Sequence, residues 1–226
     1  MAEPPEAPGP PIFVAHEFAV IHTPRLVLRV MTSRDVDDVH RYMSNPEVCR
    51  YLLHEPRSRE TVAEKIAEWS RMKRLAEVGD DLQLALELMT PGLEAGRVIG
   101  HLYFKLTSID DLTAEIGWTL HPDFEGKGYA SEAAESMLAY SFIELRLHRV
   151  IAELDPHNGA SVALCRRLGM REEALFREDL WLKGEWSDTG IHAILRTEWL
   201  ARPSGRGTPI AGDGTVDPRT DAAQSR

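Results

Sequence analysis

The sequence predicts an α/β (α+β) fold in which a single mixed, mostly antiparallel sheet carries helices on both faces. Segments with strand and helix character follow one another in the order β-α-α-β-β-β-α-β-α-β-β. Strands joined by hairpin turns pair antiparallel, whereas strand–helix–strand crossovers add parallel pairs and cover the sheet with helices. The chain has 226 residues and a hydrophobic content of 43%, which is enough to bury one such core.

The amino-terminal part of the chain is predicted to supply one strand and two helices. Residues 1–11 are rich in proline, and we expect them to form a disordered tail. Both helices begin at a hydroxyl residue that can cap their first N–H groups. The predicted elements are the strand 23–30, the helix 32–43 and the helix 58–77, which Gly79 ends.

The remainder of the chain is predicted to supply most of the sheet. Residues 201–226 contain few large apolar side chains, so we expect a second disordered tail and a domain that spans residues 12–200. The turn Lys183-Gly184-Glu185 joins the last two strands as a hairpin. The predicted elements are the strands 82–89, 97–106 and 113–120, a helix from Ala130, the strand 148–154, the helix 161–168 and the strands 174–182 and 188–195.

The segment HPDFEGKGYA, residues 121–130, joins a predicted strand to a predicted helix and contains two glycines. Glycines let several backbone N–H groups converge on one point, and the following helix adds free N–H groups and the positive end of its dipole. Such a loop at the carboxyl end of a strand predicts a binding site for an anion, in particular a phosphate or pyrophosphate. The alternative is a glycine-rich turn that only reverses the chain.

The composition argues against several classes of protein. The net charge of −10 disfavours nucleic-acid binding, because phosphate contacts need a basic surface. We expect no membrane segment and no signal peptide, since the apolar runs are short and the start MAEPPEAPGPP has no basic region. Only two cysteines are present, and the nine histidines lack metal-ligand spacing. The sequence therefore predicts a cytoplasmic protein with no disulfide framework and no metal.

Four sequence motifs, in the expected order, resemble the GNAT superfamily of N-acetyltransferases. Residues 125–130 resemble its acyl-CoA-binding motif Gln/Arg-x-x-Gly-x-Gly/Ala, although Glu125 stands where Gln or Arg is usual. Residues 158–161 (NGAS) and 165–170 (CRRLGM) resemble its Asn-x-x-Ser and Lys-x-Gly-Phe segment. The opening TPRLVLR and the closing LKGEWSD resemble the branch that includes ribosomal-protein N-terminal acetyltransferases.

The resemblance covers residues 23–200 and implies the GNAT-like acyl-CoA N-acyltransferase fold, with acetyl-CoA as co-substrate. It implies that the pyrophosphate lies on the backbone N–H groups of the glycine loop and the pantetheine along the preceding strand, whose backbone would polarise the thioester carbonyl. The acceptor amine would attack that carbonyl directly. The implied cofactor-binding residues are Trp118, Thr119, Leu120, Glu125, Gly126, Lys127, Gly128, Tyr129, Ala130, Ser131 and Asn158.

The resemblance also suggests an acid for the leaving thiolate and a base for the incoming ammonium. Many family members use a Tyr as the acid, but Cys165 occupies that position and is more typical of a buried apolar residue. Ser161 is the better candidate acid, with a helix-starting serine as the alternative. For the base, the matching position is Leu180, so Glu178 on the same strand face and Glu115 are the candidates, each with a surface carboxylate as the alternative.

The acceptor is less defined by the sequence. Tyr103, Trp181 and Trp186 are candidates to line an acceptor pocket, although aromatic residues on strands more often belong to the core. The acceptor amine is either a protein N-terminus or a small molecule such as an antibiotic or a polyamine, and a homodimer is left open. Two other classes also stay open: a module that senses acyl-CoA without turnover, and a structural or partner-binding protein.

Overall fold

A computed structural model of the chain describes residues 12–89 and 95–202 and the backbone of residues 210–211. Its described strands are β1 (His16–Glu17), β2 (Ile21–His22), β3 (Leu26–Val30), β4 (Arg74–Leu75), β5 (Asp81–Leu88), β6 (Val98–Ser108), β7 (Thr113–Leu120), β8 (Arg149–Leu154), β9 (Arg171–Leu182), β10 (Glu185–Leu195) and β11 (Ile210–Ala211). Its described helices are α1 (Val36–Met43), α2 (Pro46–Cys49), α3 (Arg59–Trp69), α4 (Tyr129–Ala139), α5 (Gly159–Arg167) and α6 (Arg196–Leu200).

One large sheet contains nine of these described strands in the order β11-β2-β3-β5-β6-β7-β8-β10-β9. Neighbouring strands in it are antiparallel except for β7 and β8, which are parallel because α4 crosses over between them. This confirms the predicted mixed, mostly antiparallel sheet. The chain adds a separate two-stranded sheet of β1 and β4, which the sequence did not predict.

Helices pack on both faces of the large sheet, as predicted. On one face, α1 and α3 bury a cluster that includes Val39, Met43 and Ile66. On the other face, the larger cluster includes Met137 of α4 and Leu164 of α5. Side chains of a strand alternate between faces, so each central strand contributes to both layers.

The predicted second helix ends earlier than expected. It stops at Trp69, and the chain then turns back so that β4 pairs with β1 and buries Leu75 completely. Gly79 does not end this helix; it has a φ of +98° in the turn that leads into β5. The prediction of 58–77 was wrong because helical spacing of apolar residues continued past the last turn, and the pairing with a distant segment overrode it.

Two short helices were not predicted. α2 begins at Pro46, where the sequence suggested only a helix stop, because the side chain of Asn45 accepts a hydrogen bond from the backbone N–H of Glu47. α6 follows the last strand and extends the ordered contacts to Arg202, which donates hydrogen bonds to the carbonyl of Leu168 and to Glu135.

The two predicted tails fall mainly outside the described residues. This holds for residues 1–11 and for residues 203–226, apart from the backbone of β11, which pairs antiparallel with β2. Arg202 was assigned to the tail and instead contacts two helices, so the contacts of the domain run past the predicted boundary at residue 200. No helix of the described part of the chain has the length and apolarity needed to cross a membrane.

The parallel pair at the centre of the sheet is short. β7 and β8 pair only from Thr113 opposite Arg149 to Glu115 opposite Ile151. Beyond Glu115, β7 continues to Leu120 alongside β6, and β8 continues alongside β10, so the two strands diverge. The divergence opens a gap in the sheet at the carboxyl ends of both strands, directly before the glycine loop.

Candidate active site

The gap between β7 and β8 leads into a cavity of about 390 Å³. Residues 115–119 of β7 and residues 152–155 at the end of β8 form its two walls. Asn158 and Ser161 at the start of α5 line it as well, and residues from the α1–α3 side close it at the other end. The cavity therefore has access to both faces of the sheet, which suits a site where two substrates meet.

The wall formed by β7 offers backbone groups as ligands. The N–H of His121 donates to the carbonyl of Ile99 on β6, at 2.8 Å. Backbone groups of a strand point alternately to the two sides, so those of Leu120 and Trp118 point away from β6 and into the gap. Since β8 does not pair there, these donors and acceptors are free for a ligand.

The glycine loop has the conformation expected of an anion site. Gly126 and Gly128 have φ values of +69° and +83°, in the left-handed region that favours glycine, and Gly128 caps α4. No hydrogen bond within the described chain uses the backbone N–H groups of residues 126–131. The first helical N–H that has a partner is that of Glu132, so the loop presents a run of free donors at a helix N-terminus.

Arg25, in the amino-terminal part of the chain, holds this loop in place through several contacts. Its Nη1 donates to the carbonyl of Lys127 at 2.9 Å, and its Nε donates to Glu132 at 2.6 Å. Its guanidinium also lies 4.4 Å from the ring centroid of Tyr129. The backbone N–H of Arg25 and the hydroxyl of Thr23 add two further bonds to Glu132. These contacts hold the carbonyl of Lys127 and the first turn of α4 against Arg25 and use none of the loop N–H groups.

This role of Arg25 was not predicted, although the TPRLVLR motif contains the residue. The charged loop side chains that the sequence suggested are not part of these contacts. Lys127 folds back on its own loop, where Nζ donates to the carbonyl of Asp123 at 2.7 Å. Glu125 is exposed. Ser131 accepts a hydrogen bond of 3.4 Å from Arg167 of α5, which brings a second cation to the start of α4.

The start of α5 brings the candidate acid to the cavity. Asn158 caps the helix, because its side-chain oxygen accepts a hydrogen bond of 3.1 Å from the backbone N–H of Ser161. Both residues line the cavity, so the capping role and the binding role are compatible. Cys165 is fully buried one turn later and does not line the cavity. Burial raises the pKa of its thiol to about 12, which fits the interpretation of a buried apolar residue.

Of the two candidate bases, Glu115 lines the cavity and Glu178 does not. Burial of Glu115 raises the pKa of its carboxyl, and repulsion from Glu153 raises it further. Glu178 is exposed on the edge strand β9 and has a φ of +52°. The expectation that it shares a face with Leu180 was wrong, because residues 177–179 form a bulge opposite a single residue of β10 and interrupt the alternation.

Aromatic side chains line one end of the cavity, but they differ from the predicted ones. Tyr103 lines the cavity as expected. Trp181 and Trp186 pack against each other on the hairpin with more than half of each side chain exposed, and neither lines the cavity. Trp69 was not predicted to line the cavity, because it is far from these residues in sequence; it reaches the cavity from the end of α3.

Comparison with known proteins identifies relatives of this chain. Residues 25–171 match the model of the acetyltransferase (GNAT) domain. The uncharacterized N-acetyltransferase YnaD of Bacillus subtilis (strain 168) is 34% identical over 179 residues, which cover 79% of this chain and 98% of YnaD. The spermidine N(1)-acetyltransferase of Escherichia coli (strain K12) is 25% identical over 77% of this chain and 88% of its own length. The crystal structure of a GNAT-family acetyltransferase from Bacillus anthracis is 31% identical, with a TM-score of 0.69 over 79% of this chain and 99% of that chain.

Proposed function

The chain belongs to the GNAT acetyltransferase family, and on this premise we propose that it moves an acetyl group from acetyl-CoA to the nitrogen of an acceptor amine by direct attack. The observation that carries this proposal is the gap between β7 and β8. It connects free backbone donors on one side with a cavity that contains a partly buried carboxylate on the other. A site of this kind can bind an acyl donor and an amine at the same time.

The residues of this chain fit the donor. The backbone N–H groups of residues 126–131 would hold the pyrophosphate, with Arg25 and Arg167 adding positive charge nearby. The free backbone groups of Trp118 and Leu120 would bind the pantetheine and polarise the thioester carbonyl. Acetyl-CoA supplies the acetyl group already activated as a thioester.

Two side chains would handle the protons of the reaction. Glu115 would take a proton from the acceptor ammonium, directly or through water, because its raised pKa makes it a better base than an ordinary carboxylate. The amine nitrogen then forms the new bond to the carbonyl carbon while the C–S bond breaks. Ser161 would give its hydroxyl proton to the leaving thiolate, and it would recover a proton, through water, from the newly formed amide nitrogen, which must lose its second proton.

The test measures free CoA thiol released from acetyl-CoA with a panel of amines and short peptides. We expect release with at least one acceptor, and we expect Glu115→Gln to lower kcat by about 10²-fold. Glu178→Gln is the matched control and should keep activity near that of the wild type. If acetyl-CoA binds but no amine releases thiol, the chain is an acyl-CoA sensor and the proposed catalysis is wrong.

We also propose that the protein acts in the cytoplasm and forms a homodimer. Cys49 and Cys165 are free and buried, which fits a reducing compartment. The edge strand β9 exposes Leu175 and Phe176 by half of their surface, and a second copy that paired along this edge would cover them. Sedimentation of the wild type and of Phe176→Glu tests this, and a monomeric wild type would contradict it.

A further inference from the structure

The acceptor end of the cavity contains a histidine with an unused nitrogen. His101 of β6 lines the cavity with only 8% of its surface exposed, and its Nδ1 lies 3.1 Å from the hydroxyl of Tyr42. Tyr42 is fully buried, and its hydroxyl has no other partner in the described chain. The hydroxyl proton must therefore point to Nδ1, since a buried donor without an acceptor is costly. His101 then carries its own proton on Nε2, which has no partner among the described residues.

This histidine is a neutral hydrogen-bond donor and not an acid or a base. Burial, with smaller contributions from the nearby His54 and Arg57, lowers the pKa of His101 to about 3. Its ring is stacked between those of Tyr42 and Trp69, with centroids 5.7 and 6.0 Å away. The stacking holds the ring in place, so its N–H has a fixed position in the cavity wall.

An arginine that forms no ion pair with a described residue lies near the same tryptophan as this donor. Arg57 lines the cavity with its guanidinium 5.8 Å from the ring centroid of Trp69. Its side chain makes no hydrogen bond or ion pair with any described residue, and its Nη1 is buried. Burial lowers its pKa, and the nearby carboxylate of Glu68 offsets this only in part. Arg29, by contrast, is paired with Asp35 and Glu87.

Other charged groups at the cavity are already engaged or lie farther along the sheet. Lys183 reaches this end, but its Nζ donates to the backbone carbonyl of Cys49. Asp188 accepts a hydrogen bond from the backbone N–H of Glu178. The other carboxylates that line the cavity are those of Glu115, Glu153 and Asp155. Glu115 lies four residues before the β7 residue that faces His101, which is about 13 Å along the strand.

We propose that Arg57 and the Nε2–H of His101 bind a carboxylate of the acceptor, so that the preferred acceptor is an amine that also carries a carboxylate group. This inference rests on the proposed function and specifies its substrate class. The ammonium would lie toward Glu115 and the carboxylate toward Arg57. The cavity would thus select against acceptors that carry a second cation at the far end, because a cation there would face an unpaired guanidinium.

The experiment compares three probes of equal length: 4-aminobutyrate, 4-aminobutanamide and 1,4-diaminobutane. A dipeptide with aspartate as its second residue separates a peptide source of the carboxylate from a free amino acid. We expect the highest kcat/KM with a carboxylate probe. In Arg57→Gln, kcat/KM for that probe should fall about 10- to 100-fold, while the value for the diamine is unchanged or rises. The KM for acetyl-CoA should stay constant, and Arg57→Lys should recover part of the loss.

A second variant protects the test against a folding defect. His101→Phe should raise KM for the carboxylate probe, while the thermal shift with acetyl-CoA reports whether the fold is intact. The inference is overturned if the diamine is the better acceptor and Arg57→Gln leaves the ratio between probes unchanged. If no amine is acetylated, the proposed function fails. In that case, calorimetry of 4-aminobutyrate with the protein–CoA complex still decides: binding that is lost in Arg57→Gln supports the carboxylate site, and no binding rejects it.

Discussion

Replacement of Gly128 by valine should remove acetyl-CoA binding from a protein that still folds. Gly128 has a φ of +83°, and a Cβ there would lie 3.4 Å from Nη2 of Arg25. The substitution therefore has two effects. The left-handed backbone costs about 1–2 kcal/mol for a residue with a side chain, and the added methyl groups crowd the guanidinium that holds the carbonyl of Lys127.

A matched control separates these two effects. Gly79 has a φ of +98° and nothing within 4 Å of an added Cβ, and it lies in an exposed turn far from the loop. Gly79→Val should therefore lose the same conformational free energy without affecting the anion site. For a chain of this size we expect both variants to lower the Tm of the free protein by about 2–8 °C.

The assay is the rise of Tm on addition of acetyl-CoA at a concentration of 100 times the wild-type Kd. A ligand that binds only the folded state then adds about 2.7 kcal/mol, or roughly 5–11 °C. Gly79→Val should show this full rise. If binding to Gly128→Val is weakened 100-fold, the gain falls to about 0.4 kcal/mol, or roughly 1–2 °C. A full rise in Gly128→Val would refute the assignment of the loop as the pyrophosphate site.

Three further predictions concern other parts of the molecule. Ser161→Ala should lower kcat about 10²-fold and leave the Kd for acetyl-CoA unchanged, because the thiolate develops only in the transition state. The control variant Cys165→Ala should change the stability of the protein and leave kcat unchanged. Urea unfolding should show that Arg202→Ala costs about 1–3 kcal/mol through lost hydrogen bonds, whereas deletion of residues 203–226 changes stability by less. Acid should destabilise the fold, because His101 binds a proton below about pH 6.5 in the unfolded chain but only near its pKa of about 3 in the folded protein. Between these pH values the free energy of unfolding should decrease as the pH falls, by roughly 2 kcal/mol at pH 5. His101→Phe should lack this part of the loss.

Much of the fold could be predicted because local patterns and the final structure agree. The strand 113–120 has the predicted bounds, and the glycine loop after it is followed by the predicted helix. Predictions failed where contacts between residues distant in the sequence determine the local structure. α3 ends early because Leu75 is buried where β4 pairs with β1, opposite a residue 59 positions earlier in the chain. A bulge that cannot be read from alternation moved Glu178 out of the cavity lining. Arg57 and His101 both lie near Trp69 only because α3 packs on the sheet, so no spacing in the sequence indicates them.

The contacts of Arg25 affect when, during folding, the glycine loop becomes able to bind acetyl-CoA. The hydrogen bonds between Arg25 and Glu132 join residues that are 107 positions apart in the chain. The strand β3, which begins directly after Arg25, must therefore dock before the loop acquires its binding geometry. A partial opening that detached β2 and β3, with the centre of the sheet intact, would release the carbonyl of Lys127 and abolish affinity. By reciprocity, a bound donor should slow amide hydrogen exchange in β3, at a distance from any atom that it contacts.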